Sequence, residues 1–244
     1  MELSKNKIKL IKSLEQKKQR LKQQLFVAEG KKVVQELLAS SLELEALFVT
    51  KDMESLFLKE SFAVITELEL KKITSLKSPN GVLALFKIPV AHQVKKEGLI
   101  VALDAINDPG NLGTIIRLCD WFGVEQLVCS ENTVDCFNSK VVQSTMGSLS
   151  RVSIVYLPLA EYLRNTDLPV FCADMEGQNV YQSKLPSKGI LVMGNEANGV
   201  SEEIENLCTE KIMIPRFGKI QETESLNVAT ATAILLSEFQ RNTL

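Results

Sequence analysis

The stretch LIVALDAINDPGNLGTIIRLCDWFG, residues 99–123, indicates the fold class of this chain. It opens with five apolar residues in a row, which is typical of a strand buried on both faces of a parallel sheet. A polar loop with proline and glycine follows, and then apolar side chains recur at the 3.6-residue period of an α-helix. That helical stripe consists of Leu112, Ile115, Ile116, Cys119 and Phe122. A strand, a loop and a helix in this order predict an α/β fold.

The same alternation continues toward the C-terminus and predicts a mostly parallel sheet with helices on both faces. We therefore predict one domain over residues 99–244. The predicted strands after residue 123 are 125–130, 152–157, 170–174, 189–194 and 211–215. The predicted helices after residue 123 are 139–146, 160–165, 201–208 and 226–241.

A shorter alternation precedes this domain and predicts a small α/β domain over residues 1–88. Residues 89–98 contain a proline, several charges and a glycine, and we predict that they form a linker. Residues 5–23 are predicted to form a basic amphipathic helix, because Ile8, Ile11 and Leu14 recur among lysines at near-helical spacing. The predicted strands are 25–30, 44–50, 62–66 and 81–88, and the other predicted helices are 31–40, 53–60 and 69–76.

The composition allows a packed core and excludes several classes of chemistry. Of the 244 residues, 45% are apolar, and none of the apolar runs approaches the roughly 20 residues that span a bilayer. With no secretory signal either, we expect a cytoplasmic protein without a membrane partner. The five cysteines are scattered and odd in number, so we expect free, buried thiols and no metal site. The single histidine, His92, lies in the predicted linker, which disfavours Ser-His-Asp hydrolysis and histidine-based metal chemistry.

Basic residues are concentrated at the N-terminus. Residues 1–32 contain ten Lys and Arg and three Asp and Glu, a net charge of +7, and the remaining chain has a net charge of −9. A basic arm on an acidic body favours a polyanionic partner for that end of the chain. A solvated, lysine-rich helix without a ligand is the alternative interpretation.

Three predicted loops carry the candidate chemistry. Ligands of open α/β sheets bind beyond the carboxyl ends of the strands, and three such ends here are rich in Gly, Asn, Ser and acidic residues. The loops are NDPGNLG at 107–113, GNEANG at 194–199 and the region from Pro215 to Asn227. Each alone is a weak signal, because an ordinary strand-to-helix turn explains it equally well.

Within and after these loops, a few side chains stand out. Arg117 falls roughly opposite the middle of the apolar stripe, so its guanidinium is not needed for packing; a surface arginine is the alternative. The Glu196 carboxylate can accept hydrogen bonds from ribose or amino groups. Ser225 is a good N-cap for the last helix, but capping does not account for Asn227. That helix is apolar on nearly every side, which predicts burial, in part in an oligomer interface.

Taken together, the motifs resemble a known family. The patterns D-P-x-N-x-G-x-x-x-R, G-N-E-x-x-G and I-P-x-x-G…S-L-N-V, in this order, resemble the SpoU-type (TrmH family) RNA 2′-O-methyltransferases of the SPOUT class. The likeness covers residues 99–241. It extends to the N-terminal segment KIKLIKSLEQKKQRLKQQLFVAEGKKVVQELL, which is similar to that family's substrate-binding domain and to the L30e and L7Ae folds.

The resemblance implies an enzyme that transfers a methyl group from S-adenosyl-L-methionine to a ribose 2′-hydroxyl in structured RNA, either rRNA or tRNA. It also implies a deep trefoil knot in the C-terminal part and a homodimer through the C-terminal domain. By motif position, the cofactor contacts are expected at Met193, Gly194, Gly199, Ile214 and Leu226. The implied catalytic residues are Asn111, Arg117, Glu196, Ser225 and Asn227.

The family assigns activation of the hydroxyl to the arginine of the first motif, here Arg117. Because a guanidinium stays protonated in proteins, we interpret it as a fixed cation that binds a phosphate and stabilises a developing alkoxide. The chain departs from the family pattern in two places. Six residues separate Gly218 from Ser225 where about three are usual, and Ala197 replaces a common glycine.

Two other classes of function compete with this interpretation. A catalytically silent RNA-binding protein would use only the L30e-like half, but the intact Asn111, Arg117, Glu196 and Asn227 argue against it. A dinucleotide-dependent dehydrogenase is disfavoured, because no G-x-G-x-x-G follows the first strand of either half.

Overall fold

The computed structural model describes residues 3–90, 93–220, 222 and 225–241; His92 and part of the loop after Gly218 lie outside them. The chain forms two compact units. The N-terminal unit comprises residues 1–90 and 135–150, and the C-terminal unit comprises residues 91–134 and 151–244. Segment 135–150 thus packs with the first unit, although the sequence analysis placed it in the domain 99–244. The division into 1–88, 89–98 and 99–244 stays a prediction about chain organisation.

Helices and strands alternate along both halves of the chain. Up to residue 90 the elements are α1 (Lys5–Ser13), α2 (Lys17–Gln23), β1 (Leu25–Glu29), α3 (Lys31–Leu38), β2 (Leu44–Thr50), a 3-10 helix (Lys51–Leu56), β3 (Ala63–Ile65), α4 (Glu67–Ile73) and β4 (Val82–Lys87). They continue with β5 (Leu99–Leu103), α5 (Pro109–Trp121), β6 (Gln126–Cys129), α6 (Ser139–Thr145), a 3-10 helix (Ser148–Ser150), β7 (Ser153–Tyr156), α7 (Leu159–Arg164), β8 (Val170–Asn179), a 3-10 helix (Val180–Gln182), β9 (Gly189–Met193), α8 (Glu202–Glu205), β10 (Glu210–Met213) and α9 (Val228–Arg241).

The N-terminal unit contains a four-stranded mixed sheet in the order β1-β4-β2-β3. β4 is antiparallel to both of its neighbours, and β2 and β3 are parallel. Ile11 of α1 and Leu70 of α4 pack on this sheet in one hydrophobic core. A capping box starts α4, in which Thr66 and Glu69 each bind the other's backbone N–H. The strands predicted at 25–30, 44–50, 62–66 and 81–88 are confirmed.

The predicted single helix over residues 5–23 is wrong, because it breaks between Ser13 and Lys17 into α1 and α2. The break leaves backbone carbonyls without helical partners. The guanidinium of Arg20 is buried and donates to the carbonyls of Leu14 and Glu15, at 2.8 Å each. This contact satisfies the freed carbonyls and fixes the bend. The helix predicted at 53–60 is also wrong: the structure has a 3-10 helix over Lys51–Leu56.

Segment 135–150 completes the N-terminal unit. α6 packs on β1, and Phe137 lies 5.0 Å from Phe26 between ring centroids. Asp135 accepts a hydrogen bond from Arg20 Nε at 2.8 Å, and the two side chains form a nearly buried ion pair. A buried charge needs such a partner, so α2 and this segment depend on each other.

The C-terminal unit contains a six-stranded sheet in the order β10-β8-β9-β5-β6-β7. Every pair of neighbours among its described strands is parallel, which confirms the predicted α/β architecture. β5 and β9, near the centre, are buried along their whole length. Because the strands are parallel, their carboxyl ends lie at one edge of the sheet.

Two helices of this unit, α5 and α9, pack against each other. Asp108 caps α5 by accepting from the backbone N–H of Asn111 at 2.8 Å, and Pro109 takes the first helical position. α9 differs from the prediction of an all-round apolar helix. Its residues Thr230, Ser237 and Arg241 are exposed on one face, which also carries the half-buried Ile234. α9 is therefore amphipathic in a single chain.

The thiols behave as predicted from their spacing. All five cysteines are free, and four of them are buried. Burial raises the pKa of Cys119 to about 12, so this thiol stays protonated at neutral pH. In the described part of the chain, none of the helices has the length and apolar character that crossing a bilayer requires.

Candidate active site

The three loops selected from the sequence come together at the carboxyl edge of the C-terminal sheet. The first follows β5, the second follows β9 and the third follows β10. β9 lies directly between β5 and β8 in the sheet, and β10 lies on the far side of β8. Loops from neighbouring parallel strands meet at this edge, as the sequence analysis expected.

Side-chain hydrogen bonds connect one residue from each loop. Asn111 donates from Nδ2 to Oε1 of Glu196 at 2.7 Å. Asn227 in turn donates from Nδ2 to Oδ1 of Asn111 at 2.9 Å. These two hydrogen bonds form the hydrogen-bond chain Asn227–Asn111–Glu196, which orients all three side chains. It leaves the second oxygen of the Glu196 carboxylate available to a ligand.

The loop after β9 folds tightly on itself. The backbone N–H of Asn195 donates to the carbonyl of Gly199, and the N–H of Gly199 donates back to Asn195, both at 2.8 Å. Gly199 has φ +68°, a region that glycine adopts without strain. A Cβ on Gly194 would lie 2.2 Å from the backbone of both Gly199 and Val200, so only glycine fits there.

Two polar residues hold this loop in place. The carboxylate of Asp104 accepts from the backbone N–H of Ser201 at 2.8 Å. Asn195 donates from Nδ2 to the carbonyl of Ala105 at 2.7 Å, and Ala105 has the left-handed φ of +55°. Neither role was predicted, although Asp104 at a strand end and Asn195 inside the second motif were visible signals. Their partners are distant in sequence.

A cavity of about 700 Å³ lies between the second and third loops. All five expected cofactor-contacting residues line it: Met193, Gly194, Gly199, Ile214 and Leu226. Glu196 and Ser225, expected to be catalytic, line it as well. The size suits a small organic ligand, for which cavities of about 300–1,000 Å³ are usual.

The walls of the cavity are rich in acidic groups. Asp174, Glu196 and Glu205 line it, whereas Arg216 is the one basic residue among the described lining residues. Lys211 forms ion pairs with Glu205 and, at 3.2 Å, with Asp174. The backbone N–H of Glu176 and then Lys211 hold the pKa of Asp174 below its usual value of 3.8.

Asp174, Glu205 and the neighbouring Met175 were not selected from the sequence. Asp174 and Met175 lie within β8, which extends to Asn179, five residues past the predicted end. Glu205 belongs to the short helix α8. Only the packing of these elements brings their side chains to the cavity.

Three of the five expected catalytic residues do not line the cavity: Asn111, Arg117 and Asn227. Of these, Arg117 is also outside the hydrogen bonds that join the other two to Glu196. The Arg117 side chain is exposed, as the helical period predicted. Within the described part of the chain, its guanidinium has no hydrogen bond or ion pair. Arg117 lies six positions after Asn111, which places the two about a third of a turn apart around α5. The guanidinium is thus available to a ligand or a partner.

The prediction that Ser225 caps the last helix is wrong. Asn227 takes that position, because its Oδ1 accepts from the backbone N–H of Ala229 at 3.0 Å and of Thr230 at 3.2 Å. Ser225 is exposed and lies two residues before the cap. Asn227 therefore caps α9 with its oxygen and binds Asn111 with its nitrogen.

The basic N-terminal segment is divided by the structure. Arg20 is buried in its ion pair with Asp135, and Lys7 lies 3.5 Å from Glu45. The remaining lysines of α1 and α2 are exposed, among them Lys5, Lys9, Lys12, Lys18 and Lys22. Arg20 therefore cannot contribute to a basic surface, although its charge was counted in the sequence.

Among the described residues, the structure contains no group of three or more His, Cys, Asp or Glu side chains that could hold a metal ion. Lys211 pairs with both Asp174 and Glu205 and compensates one of their two negative charges, so a net negative charge remains at this wall of the cavity.

Comparison with known proteins identifies the family. Residues 98–237 match the SpoU rRNA Methylase family, and residues 5–84 match the MRM3-like substrate binding domain. The 23S rRNA (guanosine(2553)-2′-O)-methyltransferase RlmP of Bacillus subtilis (strain 168) is 30% identical over 97% of both chains.

Solved structures agree with this match. An RNA methyltransferase assigned to the TrmH family from Porphyromonas gingivalis is 36% identical, with a TM-score of 0.90 over 99% of this chain and 100% of that chain. The AdoMet-bound rRNA methyltransferase from Sinorhizobium meliloti is 28% identical, with a TM-score of 0.86 over 100% of this chain and 97% of that chain. The chain belongs to the SpoU rRNA methylase family.

Proposed function

We propose that this chain transfers a methyl group from S-adenosyl-L-methionine to a ribose 2′-hydroxyl in structured RNA, either rRNA or tRNA. The main support is the hydrogen-bond chain Asn227–Asn111–Glu196, whose Glu196 lines the 700 Å³ cavity. The match to the SpoU rRNA Methylase family is the second support. RlmP of Bacillus subtilis, matched over nearly its whole length, is named for the same reaction on 23S rRNA.

The cavity suits this cofactor in charge as well as in size. When bound, S-adenosylmethionine supplies an electrophilic methyl group on a positively charged sulfonium. The carboxylates of Asp174, Glu196 and Glu205 create a negative potential that favours such a cation. The residues that would hold the cofactor are Met193, Gly194, Gly199, Ile214 and Leu226. Gly199 has open space where a side chain would be and leaves its backbone open to the ligand, whereas Gly194 allows the loop to close on itself.

The catalytic residues have separate tasks in this proposal. Asn111 and Asn227 hold Glu196 in one orientation, and Ser225 offers a hydroxyl at the cavity wall. Much of the rate acceleration would come from this positioning of the ribose. Arg117 acts as a fixed cation: it binds a phosphate next to the target and stabilises negative charge that develops on the 2′-oxygen.

The position of Arg117 supports a homodimer through the C-terminal domain. Its guanidinium is exposed and does not line the cavity of its own chain. In a homodimer, it could instead reach the active site of the second copy. Ala233 and Ile234 of α9 are only half-buried in one chain and offer apolar surface. Light scattering on the full chain is expected to give twice the mass of 27.1 kDa. A monomer at tens of micromolar would contradict the dimer.

The finer fold belongs to the same proposal. We infer a deep trefoil knot in the C-terminal unit and an L30e- or L7Ae-like N-terminal unit. Supporting the first is the match of residues 98–237 to the SpoU rRNA Methylase family. The match of residues 5–84 to a substrate-binding domain supports the second. The cytoplasmic location expected from the sequence belongs to the same proposal, and the likeness to a bacterial 23S rRNA methyltransferase supports it.

Two measurements test the activity. Calorimetry in excess EDTA is expected to show binding of S-adenosylhomocysteine, and tritiated S-adenosylmethionine is expected to label total RNA from a strain that lacks the gene. Mapping of 2′-O-methyl groups with and without the gene identifies the nucleotide. If the protein binds RNA but neither binds the cofactor nor labels RNA, it is the silent RNA-binding protein instead.

A further inference from the structure

The mouth of the cavity is surrounded by exposed apolar and aromatic side chains. Among the described residues of the C-terminal unit, six large side chains of this kind are exposed. Four of them line the cavity, and a fifth, Tyr181, contacts one of the four. We call this set the aromatic rim. It consists of Met175, Tyr181, Phe217, Ile220 and Leu226.

The centre of the aromatic rim is a pair of rings. Phe217 is 83% exposed, and its ring centroid lies 6.3 Å from that of Tyr181, with a 34° angle between the planes. Tyr181 lies in the 3-10 helix Val180–Gln182, and its backbone N–H donates to Oδ1 of Asn179 at 3.0 Å. One ring is thus fixed to the protein body, and the other presents an open face to solvent.

Such a surface is costly without a ligand. A single exposed apolar side chain needs no explanation, but a continuous patch beside a cavity marks an interaction site. Ile220 is also 79% exposed, so the patch extends outward from the cavity and is not part of its interior. The exposed positive charge of Lys219 lies between Phe217 and Ile220 in sequence. A ligand with both a flat apolar face and a negative charge matches this combination.

We propose that the Phe217–Tyr181 pair stacks on the base of the nucleotide that is methylated, and that Lys219 contacts its phosphate. The inference rests on the proposed function. Methyl transfer requires the target ribose at the cavity mouth, and the base is attached to that ribose by one bond. Unstacked RNA bases are commonly held on aromatic side chains, and stacking tolerates every base.

The adenine of the cofactor is the competing occupant. Of the residues expected to hold the cofactor, Met193 is 2% exposed and Leu226, which also belongs to the rim, is 47% exposed. Phe217 is 83% exposed and is therefore the outermost of these three side chains. A second copy of the chain is another competing occupant. The aromatic rim lies at the cavity mouth, where the target ribose must enter, so a partner chain that covered the whole rim would exclude the RNA. The homodimer proposed above must therefore leave the Phe217–Tyr181 pair open. The location therefore favours the substrate base.

The test compares Phe217→Ala, Phe217→Leu and Phe217→Trp in the full-length protein. Each is assayed for methylation of total RNA from a strain that lacks the gene, for S-adenosylhomocysteine affinity, and for mass by light scattering. Loss of one base–aromatic stack is expected to raise the apparent KM for RNA about tenfold in Phe217→Ala. Phe217→Leu keeps an apolar side chain without a ring and should resemble Phe217→Ala, whereas Phe217→Trp should restore the KM.

Two further variants sharpen the result. Tyr181→Ala removes the second ring of the pair and should raise the KM for RNA in the same direction as Phe217→Ala. Leu58→Ala removes a side chain that is 75% exposed in the N-terminal unit, and it should leave KM and cofactor affinity unchanged. Because Phe217 is so exposed, its variants are expected to fold normally.

Several outcomes would overturn the inference. If Phe217→Ala lowered the affinity for S-adenosylhomocysteine as much as it raised the KM for RNA, the rim would be assigned to the cofactor. A change of mass would assign it to a contact between copies. Unchanged KM and kcat would show that the rim has no role in substrate binding. A wild-type protein that methylates no RNA would contradict the proposed function, and this inference with it.

Discussion

Arg117 is the residue whose proposed role is separable from folding. Its side chain is exposed and has no partner among the described residues, so Arg117→Ala should leave the melting temperature and the cofactor affinity unchanged. Loss of one electrostatic group of this type typically lowers the rate of the chemical step by about 10²–10³. Single-turnover methylation with tritiated cofactor measures that step.

The matched control for Arg117→Ala is Arg117→Lys. It keeps the charge but loses the planar fork that binds a phosphate, so we expect it to be nearly as slow. Transfer by Arg117→Ala at close to the wild-type rate would remove Arg117 from the active site. Unfolding of Arg117→Ala would instead show that the guanidinium has a structural role.

Gly194 is the residue that most restricts the shape of the cavity. A methyl group there would lie 2.2 Å from the backbone of Gly199 and Val200, so the loop must move in Gly194→Ala. We expect a lower melting temperature and loss of S-adenosylhomocysteine binding in calorimetry. For folding, Gly218→Ala is the control, since its nearest new contact is an ordinary 3.6 Å. Wild-type affinity in Gly194→Ala would show that this loop does not form the cofactor site.

At the scale of one element, the start of α9 joins stability and catalysis in Asn227. Asn227→Asp keeps the oxygen that caps the helix but loses the nitrogen that donates to Asn111. It should fold like the wild type and methylate RNA more slowly. Asn227→Ala loses both contacts, and the missing cap should cost about 1 kcal/mol of unfolding free energy as well. Thermal and urea unfolding beside single-turnover rates separate the two effects.

An outcome in which both Asn227 variants are equally unstable would mean that the hydrogen bond to Asn111 holds α9 in place. Full activity of Asn227→Asp would mean that the chain Asn227–Asn111–Glu196 does not orient the site. Either result would change the role that the structure indicates for this residue.

The ion pairs of β8, α8 and β10 predict a pH dependence of stability. The pKa of Asp174 is lowered in the folded chain, chiefly by the N–H of Glu176 and then by Lys211. The ionised carboxylate therefore stabilises the fold above its usual pKa of 3.8, and this stabilisation is lost as pH falls through the lower folded value. Asp174→Asn should melt below the wild type at pH 7, and the gap should narrow below about pH 4. A gap that is independent of pH would contradict the assignment.

At the scale of the whole molecule, the concentration of positive charge at the N-terminus predicts that the affinity for RNA depends on salt. The exposed lysines of α1 and α2 are the candidates, whereas Ile11, Leu14 and Arg20 are buried, so deleting the segment would unfold the N-terminal unit. Charge-removing substitutions avoid this problem. They are Lys5→Gln, Lys9→Gln, Lys12→Gln, Lys18→Gln and Lys22→Gln in one variant.

This variant should bind RNA more weakly and with a flatter salt dependence, because each lost phosphate contact lowers the slope by about 0.7–0.9. Cofactor affinity should be unchanged. Lys184→Gln with Lys188→Gln removes two exposed lysines from the C-terminal unit and serves as the charge control. Filter binding of total RNA across salt concentrations gives the slope. An unchanged slope in the five-lysine variant would place the RNA surface elsewhere.

Local sequence patterns determined most of the strands and helices of this protein. They also indicated which strand ends hold the candidate site residues. Continuous apolar runs such as 99–103 and 189–193 predicted buried strands, because a strand in a parallel sheet is covered on both faces. The 3.6-residue period predicted that Arg117 is exposed. The three loops were predicted from their composition and from the rule that ligands bind at the carboxyl edge of the sheet. Each of these inferences depends on residues close together in the chain.

Only the tertiary structure decided what depends on distant partners. Arg20 resembles any other basic residue of a lysine-rich helix until Asp135, 115 positions later, is placed beside it. Asn227, not Ser225, caps α9, and its amide also reaches Asn111 across 116 positions. Asp174 and Phe217 reach the cavity through the packing of their elements. Sequence periodicity reports which face of an element is apolar, but pairing of charges and hydrogen bonds depends on which elements meet in space, and that is set by the packing of the whole chain.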